Sequence, residues 1–292
     1  MNIDSCRTYG EVAREARRRL AAVYPPGEAA MMVRIIFEQL KGFSQVDMIV
    51  NDAKPCSAFI SGEADKAVRR LLDGEPIQYI YGTARFCGLD FAVSRAVLIP
   101  RPETEELVDS IVSRYGSRRD LRVLDVGTGS GCIAVALARA LPFAEVDAID
   151  ISADALAVAR SNAKRLKVSV DFRISDALAM TAPPAPLYDI IVSNPPYIAE
   201  SERAAMEPNV LLHEPHAALF VPDSDPLRFY RAISRYAVGA LSPGGTLWFE
   251  INPLFAREVK ALLRDDGFDD VVLCADAQKL TRFARATKPD WQ

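Results

Sequence analysis

The stretch that decides the fold is VLDVGTGSGCIAVALA, residues 123–138. It runs from an apolar segment typical of a buried strand, through Gly127, Gly129 and Gly131, into a helical pattern. Glycines permit a tight turn and a close ligand, and the following helix start presents unpaired amide hydrogens. The spacing is neither the G-x-G-x-x-G of dinucleotide-binding proteins nor the GK[ST] of triphosphate loops. We predict a ligand-binding loop of another class; a purely structural turn is the alternative.

Strand-like and helix-like segments alternate from residue 121 to the end of the chain. The strand patterns EVDAID, SVDFRIS, YDIIVSN and GTLWFEI alternate with helix patterns such as ADALAVARSNAKRL and PLRFYRAISRYAVGAL. The proline-rich stretch TAPPAP, residues 181–186, reads as a break between two strands. Such alternation indicates βαβ units and a mostly parallel sheet covered by helices on both faces. The predicted fold is therefore α/β and doubly wound.

Acidic residues follow the next two strands. Asp150 ends EVDAID, at the sheet edge where open α/β sheets bind ligands, and a carboxylate there can accept both hydroxyls of a ribose. Asp176 and Ala177 follow SVDFRIS, where an acidic side chain or a backbone amide can meet an adenine. The alternatives are a helix cap for Asp150, although Ser152 or Asp154 suits that role better, and a loop cap for Asp176.

A further strand ends abruptly in IIVSNPPYIAE, residues 190–200. Two consecutive prolines have no amide hydrogen to donate, so the strand stops at Asn194. Asn194, Pro195 and Tyr197 are thereby predicted at the same edge as the glycine loop. A buried Asn-Pro turn without chemistry is the alternative.

The first part of the chain has a different character. Residues 7–75 show helical spacing, and residues 79–99 alternate aromatic and β-branched side chains around Cys87-Gly88, which predicts a hairpin. A helix is expected in PRPETEELVDSIVSRY, after the prolines. The start and stop signals of the early helices are Thr8, Glu11, Gly42, Gly74 and Pro76.

Composition narrows the class of protein. The chain has 292 residues, is 50% hydrophobic and has a net charge of -4, which argues against a strongly basic nucleic-acid clamp. Five cysteines without a CxxC pair indicate reduced thiols, not a zinc site or a disulfide framework. His213 and His216 flank Pro215 with no third ligand nearby, so no metal is expected. The N-terminus has no apolar core of a signal peptide, and we expect a soluble cytoplasmic protein.

Together these motifs resemble a known group of enzymes. DVGTGSG, Asp150 and SDA are similar to the cofactor loop, ribose acid and adenine region of doubly wound S-adenosylmethionine-dependent methyltransferases, and NPPY resembles the motif of those that methylate a planar nitrogen. GEPIQYIYGTARFCGLDFAVSRAVLIPRPETEELV, residues 74–108, narrows the resemblance to the PrmC/HemK family, whose members methylate the glutamine amide in the GGQ loop of peptide-chain release factors. The family's IPRP[DE]TE and EP..AL motifs are present at 99–105 and 214–219. The tail CADAQKLTRFARATK, residues 274–288, departs from the family's last turn, although Arg282 and Phe283 are kept.

The resemblance implies an architecture and a set of site residues. It implies a seven-stranded Rossmann-like methyltransferase sheet in residues 101–292, a β-hairpin linker in 76–100, and a helical substrate-recognition domain in 1–75. The implied cofactor is S-adenosylmethionine, bound by Asp125, Gly127, Thr128, Gly129, Ser130, Gly131, Asp150, Asp176, Ala177 and Asn194. The implied substrate-binding residues are Pro102, Glu103, Asn194, Pro195, Pro196 and Tyr197.

The chemistry expected of the NPPY motif is positioning. An amide nitrogen is a poor nucleophile, so a site must orient it and polarise its N–H bonds. We expect the Asn194 side-chain oxygen to accept one N–H, the Pro195 carbonyl to accept the other, and Tyr197 to stack on the planar group. Release factors are the expected partners of a monomer that binds neither DNA nor membrane. The rivals are an adenine N6-methyltransferase of nucleic acid and a non-catalytic cofactor-binding factor.

Overall fold

The structure is a computed structural model that describes residues 3, 6–181 and 187–290. The chain divides into two compact units, and each is described by itself. Unit 1 comprises Met1–Gly82 and Glu207–His213; unit 2 comprises Thr83–Met206 and Glu214–Gln292. The break predicted at 181–186 lies, apart from Thr181, outside the described residues. No helix in the described part of the chain has the length and hydropathy needed to cross a membrane.

Unit 1 is helical. Its elements are α1 (Tyr9–Leu20), α2 (Pro26–Lys41), α3 (Gln45–Val50), α4 (Ala58–Leu72), α5 (Ile77–Tyr81) and α9 (Pro208–His213). Apolar side chains of α1, α2 and α4 form one buried cluster that includes Leu20, Phe37 and Leu71. Burial of such side chains, at roughly 1.5–3 kcal/mol each, is the main stabilisation of a unit this small.

The predicted helix signals of unit 1 are largely confirmed. Thr8 and Glu11 form a reciprocal capping box at the start of α1, and Gly42 ends α2 in the left-handed conformation at φ 67°. The short helix α3 is a finding that the pattern did not predict. It begins with a Ser44–Asp47 capping box and has no buried residue, since its apolar side chains Val46, Ile49 and Val50 are exposed.

The hairpin is shorter than predicted. Strands β1 (Thr83–Phe86) and β2 (Leu89–Ala92) pair around Cys87-Gly88, which has positive φ at both residues as a two-residue hairpin turn requires. The predicted linker 76–100 is thus wrong at its start, since residues 77–81 form helix α5. Pro76 precedes α5 and Gly82 ends it at φ 67°, and these start and stop signals override the strand-like alternation of aromatic side chains.

Unit 2 is built on a seven-stranded sheet, which confirms the predicted doubly wound α/β fold. Its strands are β3 (Arg122–Val126), β4 (Glu145–Asp150), β5 (Asp171–Ile174), β6 (Tyr188–Ser193), β9 (Leu241–Glu250), β10 (Asp269–Ala275) and β11 (Thr281–Thr287). The strand order is β10-β11-β9-β6-β3-β4-β5. Strands β9, β6, β3, β4 and β5 are parallel to one another, whereas β11 is antiparallel to both β9 and β10.

Helices cover both faces of this sheet. Helices α6 (Pro102–Tyr115), α7 (Cys132–Ala140) and α8 (Ala153–Leu166) pack on one face, and α10 (Arg228–Ala240) and α11 (Ala256–Asp265) on the other. Successive residues of a strand enter opposite clusters, as Ile190 and Ile191 do. This two-sided burial explains why the central strands are continuously apolar.

The register aligns the carboxyl ends of the central strands. Val126 pairs with Ile149 in β4 and with Ser193 in β6, and Ser193 pairs with Phe249 in β9. The next residue of each strand therefore reaches the same edge, which gathers the residues of the next subsection: Gly127, Asp150, Asn194 and Glu250. The short strands β7 (Ile198–Ala199) and β8 (Phe220–Val221) pair just beyond this edge.

Candidate functional site: the carboxyl edge of the sheet

The glycine loop leaves open space beside its backbone. Gly127, Gly129 and Gly131 have φ of 76°, 55° and 80°, a region that favours glycine. A Cβ at Gly127 or Gly129 would meet no atom within 4 Å, whereas one at Gly131 would lie 3.0 Å from the Ala159 Cβ. The first two glycines thus border open space, and the third allows α7 and α8 to pack closely.

Asp125 lies in β3, two residues before Gly127. It is fully buried, and its Oδ2 accepts hydrogen bonds from Thr128 Oγ1 at 2.6 Å and from the Ala134 amide at 3.2 Å. Its Oδ1 has no hydrogen-bond partner among the described residues. Burial raises the pKa of Asp125 to about 7, against the lowering effect of the two donors. These contacts show that Asp125 supports the loop, and its contact with a cofactor stays a prediction.

Asp150 stands at the end of β4, where it bridges two backbone segments. Its Oδ2 accepts from the Gly129 amide at 2.8 Å and its Oδ1 from the Ser152 amide at 2.9 Å. Ser152, and not Asp150, caps α8. Because each carboxylate oxygen accepts about two hydrogen bonds, both oxygens of the half-buried Asp150 keep one lone pair for a ribose hydroxyl.

Asp176 and Ala177 follow β5 at the same edge. The Ser175 amide donates to the Asp150 carbonyl at 3.0 Å, which ties the ends of β4 and β5 together. Asp176 Oδ1 accepts from the Leu178 amide at 2.8 Å, the loop-cap contact that was the alternative for this residue. Ala177 is half-buried and packs against the apolar cluster of the α10 face. One Asp176 oxygen remains outside this turn.

Asn162 on α8 is a supporting residue that the motifs did not reveal. It is fully buried; its Nδ2 donates to the carbonyls of Ala92 and Ser130, both at 2.9 Å, and its Oδ1 accepts from the Ala92 amide at 2.7 Å. One side chain thus fixes the glycine loop to strand β2. The available signal was an asparagine at a position of α8 where Leu156, Ala159 and Ala163 set an apolar period.

The NPPY motif begins directly after β6 and is held by side chains. Ser193 Oγ donates to the Val126 carbonyl at 2.7 Å, which joins this strand end to the start of the glycine loop. Asn194 Nδ2 donates to Thr104 Oγ1 at 3.2 Å, and Tyr197 Oη donates to Glu250 Oε1 at 3.1 Å. The structure therefore brings Asn194 next to the glycine loop, with Pro195 buried after it.

Glu250 is the second buried carboxylate of the site, and the sequence did not single it out. It ends β9 with 1% of its surface exposed, and its Oε2 accepts from Thr104 Oγ1 at 2.6 Å. Burial raises the pKa of Glu250, while the hydrogen bonds from Thr104 and Tyr197 act in the opposite direction. Asn252, two residues on, donates to the Tyr197 carbonyl at 3.1 Å. Glu250 and Asn252 thus fix the tyrosine at both ends.

The segment before α6 is fixed by another buried acid. Glu214 accepts from the Ile99 amide at 3.1 Å and from the Arg101 guanidinium at 2.6 Å. Pro102 and Glu103, the predicted substrate-loop contacts, form the first turn of α6, and Pro102 is exposed. It is the next residue, Thr104, that contacts Asn194. The EP and IPRPETE motifs are therefore one structural unit.

Cys132 and the turn after β10 complete the description of this edge. No group of three or more metal-ligating side chains occurs in the described part of the chain. Burial raises the pKa of Cys132, at the start of α7, to about 12, which keeps the thiol protonated. The atypical tail forms a turn between β10 and β11, closed by Asp276, which accepts from the Leu280 amide and from Arg282.

The edge fits S-adenosylmethionine on its own geometry. The open space beside Gly127 and Gly129 accommodates a ligand against the backbone, and a residual lone pair on each Asp150 oxygen suits a pair of ribose hydroxyls. Asn194 follows Ser193 directly beside the loop, so a group bound there lies next to the NPPY motif. The arrangement can bind a nucleoside and orient a polar planar group beside it.

Comparisons with known proteins give the family. The model of the Methyltransferase small domain matches residues 104–220, and that of the PrmC N-terminal domain matches residues 11–82. The chain is 46% identical over 272 residues to the release factor glutamine methyltransferase of Bacteroides thetaiotaomicron, covering 93% of this chain and 97% of that one. It is 41% identical over 260 residues to that of Flavobacterium psychrophilum, covering 88% and 91%. A crystal structure of a methyltransferase from Pyrococcus furiosus, 16% identical, shares the fold with a TM-score of 0.52 over 76% of this chain and 97% of that one.

Proposed function

The chain belongs to the release factor glutamine methyltransferase family, and we propose that it methylates N5 of the glutamine in the GGQ loop of peptide-chain release factors, with S-adenosylmethionine as methyl donor. The observation behind this assignment is the orientation of Asn194. Its Nδ2 is bonded to Thr104, and its Oδ1 has no partner among the described residues. A neutral acceptor beside a nucleoside-binding loop suits an amide NH₂ as the group to be methylated.

The cofactor is held in this proposal by the loop and by Asp150. The open space beside Gly127 and Gly129 takes the amino-acid part, Asp150 takes the ribose hydroxyls, and Asp176 with Ala177 borders the adenine. Asp125 acts indirectly, through Thr128. When bound, S-adenosylmethionine supplies a methyl group on a sulfonium sulfur, which passes to the amide nitrogen as the S–C bond breaks.

The side chains of the NPPY motif orient the substrate. Asn194 Oδ1 and the Pro195 carbonyl accept the two N–H groups of the glutamine, which holds the nitrogen in line and raises its electron density. Proline fixes φ, so the peptide before it is rigid. Tyr197 covers the planar amide with its ring, and Glu250 holds its hydroxyl. The nitrogen then releases its proton to water, and no ionised base is needed.

Unit 1 takes the role of release-factor recognition in this proposal. Val46, Ile49 and Val50 on α3 are 67–72% exposed, and Phe59 on α4 is 71% exposed. Large apolar side chains left in water on a small helical unit are typical of a protein-binding surface. We expect Ile49→Asp to raise KM for the release factor while leaving cofactor affinity unchanged. The cytoplasmic location and the monomeric state stay predictions.

A labelled-methyl assay tests the proposal. Purified enzyme is incubated with labelled S-adenosylmethionine and, in separate reactions, a release factor, the same factor with its GGQ glutamine changed to asparagine, tRNA, and DNA. We expect label only in the unaltered release factor, because the shorter asparagine does not reach between Asn194 and Pro195. Label in DNA or tRNA instead would favour the adenine rival, and no label in any reaction would favour a non-catalytic factor.

A further inference from the structure

We propose that Thr104 and Glu250 are positioning residues that make the site select an amide over a carboxylate, that is, glutamine over glutamate. The inference rests on the proposed function and adds to it a reason for the substrate's chemical class. Neither residue is placed against the substrate; both act through Asn194 and Tyr197.

The hydrogen bonds that join Glu250, Thr104 and Asn194 determine the orientation of the Asn194 side-chain amide. The hydrogen bonds from Thr104 and Tyr197 and the charge of Arg282 favour the ionised form of Glu250 against the effect of burial. An ionised carboxylate can only accept, so Glu250 Oε2 then receives the Thr104 hydroxyl proton across 2.6 Å. A hydroxyl has one proton, so Thr104 Oγ1 can then only accept from Asn194, 3.2 Å away. The Asn194 atom that faces Thr104 must therefore be the NH₂ nitrogen. This fixes the amide orientation by chemistry, without reliance on the positions of hydrogens.

The orientation of the Asn194 amide determines which of its atoms faces the substrate. With its NH₂ held by Thr104, Asn194 presents its carbonyl oxygen to the open site, next to the carbonyl of Pro195. Two acceptors match the two N–H groups of a glutamine side chain. A glutamate side chain has no proton to donate, so its oxygens would be repelled by the carbonyl oxygens of Asn194 and Pro195. A site that hydrogen-bonds a polar group of its substrate discriminates by a large factor against an analogue that cannot form those hydrogen bonds.

The opposite orientation of the Asn194 amide would reverse this preference. An asparagine side chain rotated by 180° would present NH₂ to the substrate, would lose its bond to Thr104, and would favour a carboxylate. Nothing in the local shape separates the two orientations, because the oxygen and NH₂ of an amide are nearly the same size. The Thr104–Glu250 pair is thus the element that discriminates between them.

The same carboxylate also holds the tyrosine. Glu250 Oε1 accepts from Tyr197 Oη at 3.1 Å, while Oε2 accepts from Thr104. One buried acid thereby positions both the acceptor and the ring proposed to meet the substrate amide. Its carbonyl accepts from Tyr230 at 3.3 Å, and Arg282 and Glu103 are the charged groups that act on it from β11 and α6.

The experiment compares Thr104→Val with Thr104→Ser. Valine keeps the shape but removes the hydroxyl, whereas serine keeps both the proton and the lone pairs. Two quantities are measured for each: kcat on the release factor, and the inhibition constant of the same factor with its GGQ glutamine changed to glutamate. Thr287→Val is the matched control, since its hydroxyl has no hydrogen-bond partner in the described chain.

We expect Thr104→Val to lower kcat about tenfold or more and to tighten inhibition by the glutamate form by a similar factor, the scale of one lost buried hydrogen bond. Thr104→Ser and Thr287→Val should behave like the parent in both measurements. Calorimetry should show unchanged S-adenosylmethionine affinity for all three. Tighter binding of the wrong substrate is a result that mere loss of stability does not produce.

Unchanged discrimination in a folded Thr104→Val protein would overturn the inference. If that variant does not fold, Glu250→Gln replaces it, with Glu258→Gln, an exposed carboxylate on α11, as control. A glutamine has one acceptor oxygen and can serve Thr104 or Tyr197 but not both, so weaker discrimination or a weaker kcat is expected. Full parental behaviour of Glu250→Gln would equally reject the idea. Loss of methylation by the parent itself would instead reject the proposed function.

Discussion

Asp125 and Glu250 are two buried carboxylates at the carboxyl edge of the sheet, and each holds the residues of a different loop. Each stands near the end of a sheet strand, each is almost wholly removed from water, and burial raises the pKa of each. Asp125 supports the glycine loop through Thr128, and Glu250 supports the NPPY motif through Thr104 and Tyr197. On both sides a buried acid holds the hydroxyls that order a loop.

The difference lies in how far along the chain the partners are. Asp125 binds groups three and nine residues ahead, whereas Glu250 binds Tyr197 at a separation of 53 residues and Thr104 at 146. The contacts of Asp125 therefore form within one short segment of the chain, whereas those of Glu250 require the assembled sheet. Variants on the two sides should fail in different ways.

The largest expected effect is the loss of cofactor binding by a substitution in the glycine loop. Gly129→Val should remove measurable S-adenosylmethionine binding in calorimetry, because its side chain would enter the open space beside the loop. Gly42→Val is the matched control: Gly42 also has positive φ, 67°, and open space around its Cβ, but it ends α2 in unit 1. Both variants carry similar backbone strain. Equal cofactor affinity in the two would remove the loop from the binding site.

The next effect breaks the substrate side alone. Asn194→Ala should lower single-turnover rates on the release factor by about 10²-fold or more, the scale for one preorganised polar contact, while cofactor affinity stays near the parent's. The reason is that one amide N–H loses its acceptor in a partly buried site and the nitrogen rotates out of line. A near-parental rate with bound cofactor would mean that NPPY is only a turn. Asn194→Asp keeps an acceptor but loses the NH₂ bonded to Thr104, so partial activity there would show that the donor is dispensable.

The comparison of the two acids also has a pH signature. The Asp125 pKa of about 7 lies above its ordinary 3.8, so between these values the unfolded chain ionises while the folded protein holds the proton. Stability is then lost as pH rises through this window. Asp125→Asn does not ionise, so its unfolding free energy relative to the parent should increase by about 2–3 kcal/mol from pH 5 to pH 8. Urea titrations of the cofactor-free proteins measure this.

The control for that measurement is Asp171→Asn, which removes an exposed carboxylate from β5. The pH dependence of its unfolding free energy relative to the parent measures what an exposed carboxylate contributes, for comparison with Asp125→Asn. A constant difference for Asp125→Asn would show that Asp125 is ionised in the folded protein at pH 5, and would remove the contrast with an ordinary surface acid.

The sequence predicted the parts of the molecule whose cause is local. The alternation after residue 121, the loop after β3, the capping box of α1 and the stop of β6 at Asn194 all follow from spacing, glycine and proline. The family motif also placed attention on Pro102 and Glu103, although the structure connects the next residue, Thr104, to Asn194.

The roles of Asn162 and Glu250 needed the fold. A buried polar side chain is meaningful only through its partners, and Asn162 contacts Ala92 and Ser130, 70 and 32 residues away, besides the nearby Arg165. Glu250 reads as the last polar residue of a strand until the register of β9 brings it level with Asn194. The boundary at Gly82 and the inclusion of residues 207–213 in unit 1 depend on contacts of the same distant kind.

The smallest expected effect tests a carboxylate that differs from both buried acids. Asp150 is half-buried, and we propose that it touches the ligand itself, so its loss should appear in affinity and hardly in stability. Asp150→Ala should weaken S-adenosylmethionine binding by about 1.5–3 kcal/mol, the scale for hydrogen bonds to a charged group, which is about 10- to 100-fold in Kd. The exposed Asp154→Ala on α8 removes the same charge nearby and should bind like the parent. The S-adenosylmethionine affinity of Asp150→Asn should lie between those of Asp150→Ala and Asp154→Ala. The asparagine NH₂ would face the amide of Gly129 or Ser152, and both of these amides need an acceptor. Parental affinity in Asp150→Ala would leave Asp150 as a backbone bridge between β4 and α8, and the ribose would need another partner at this edge.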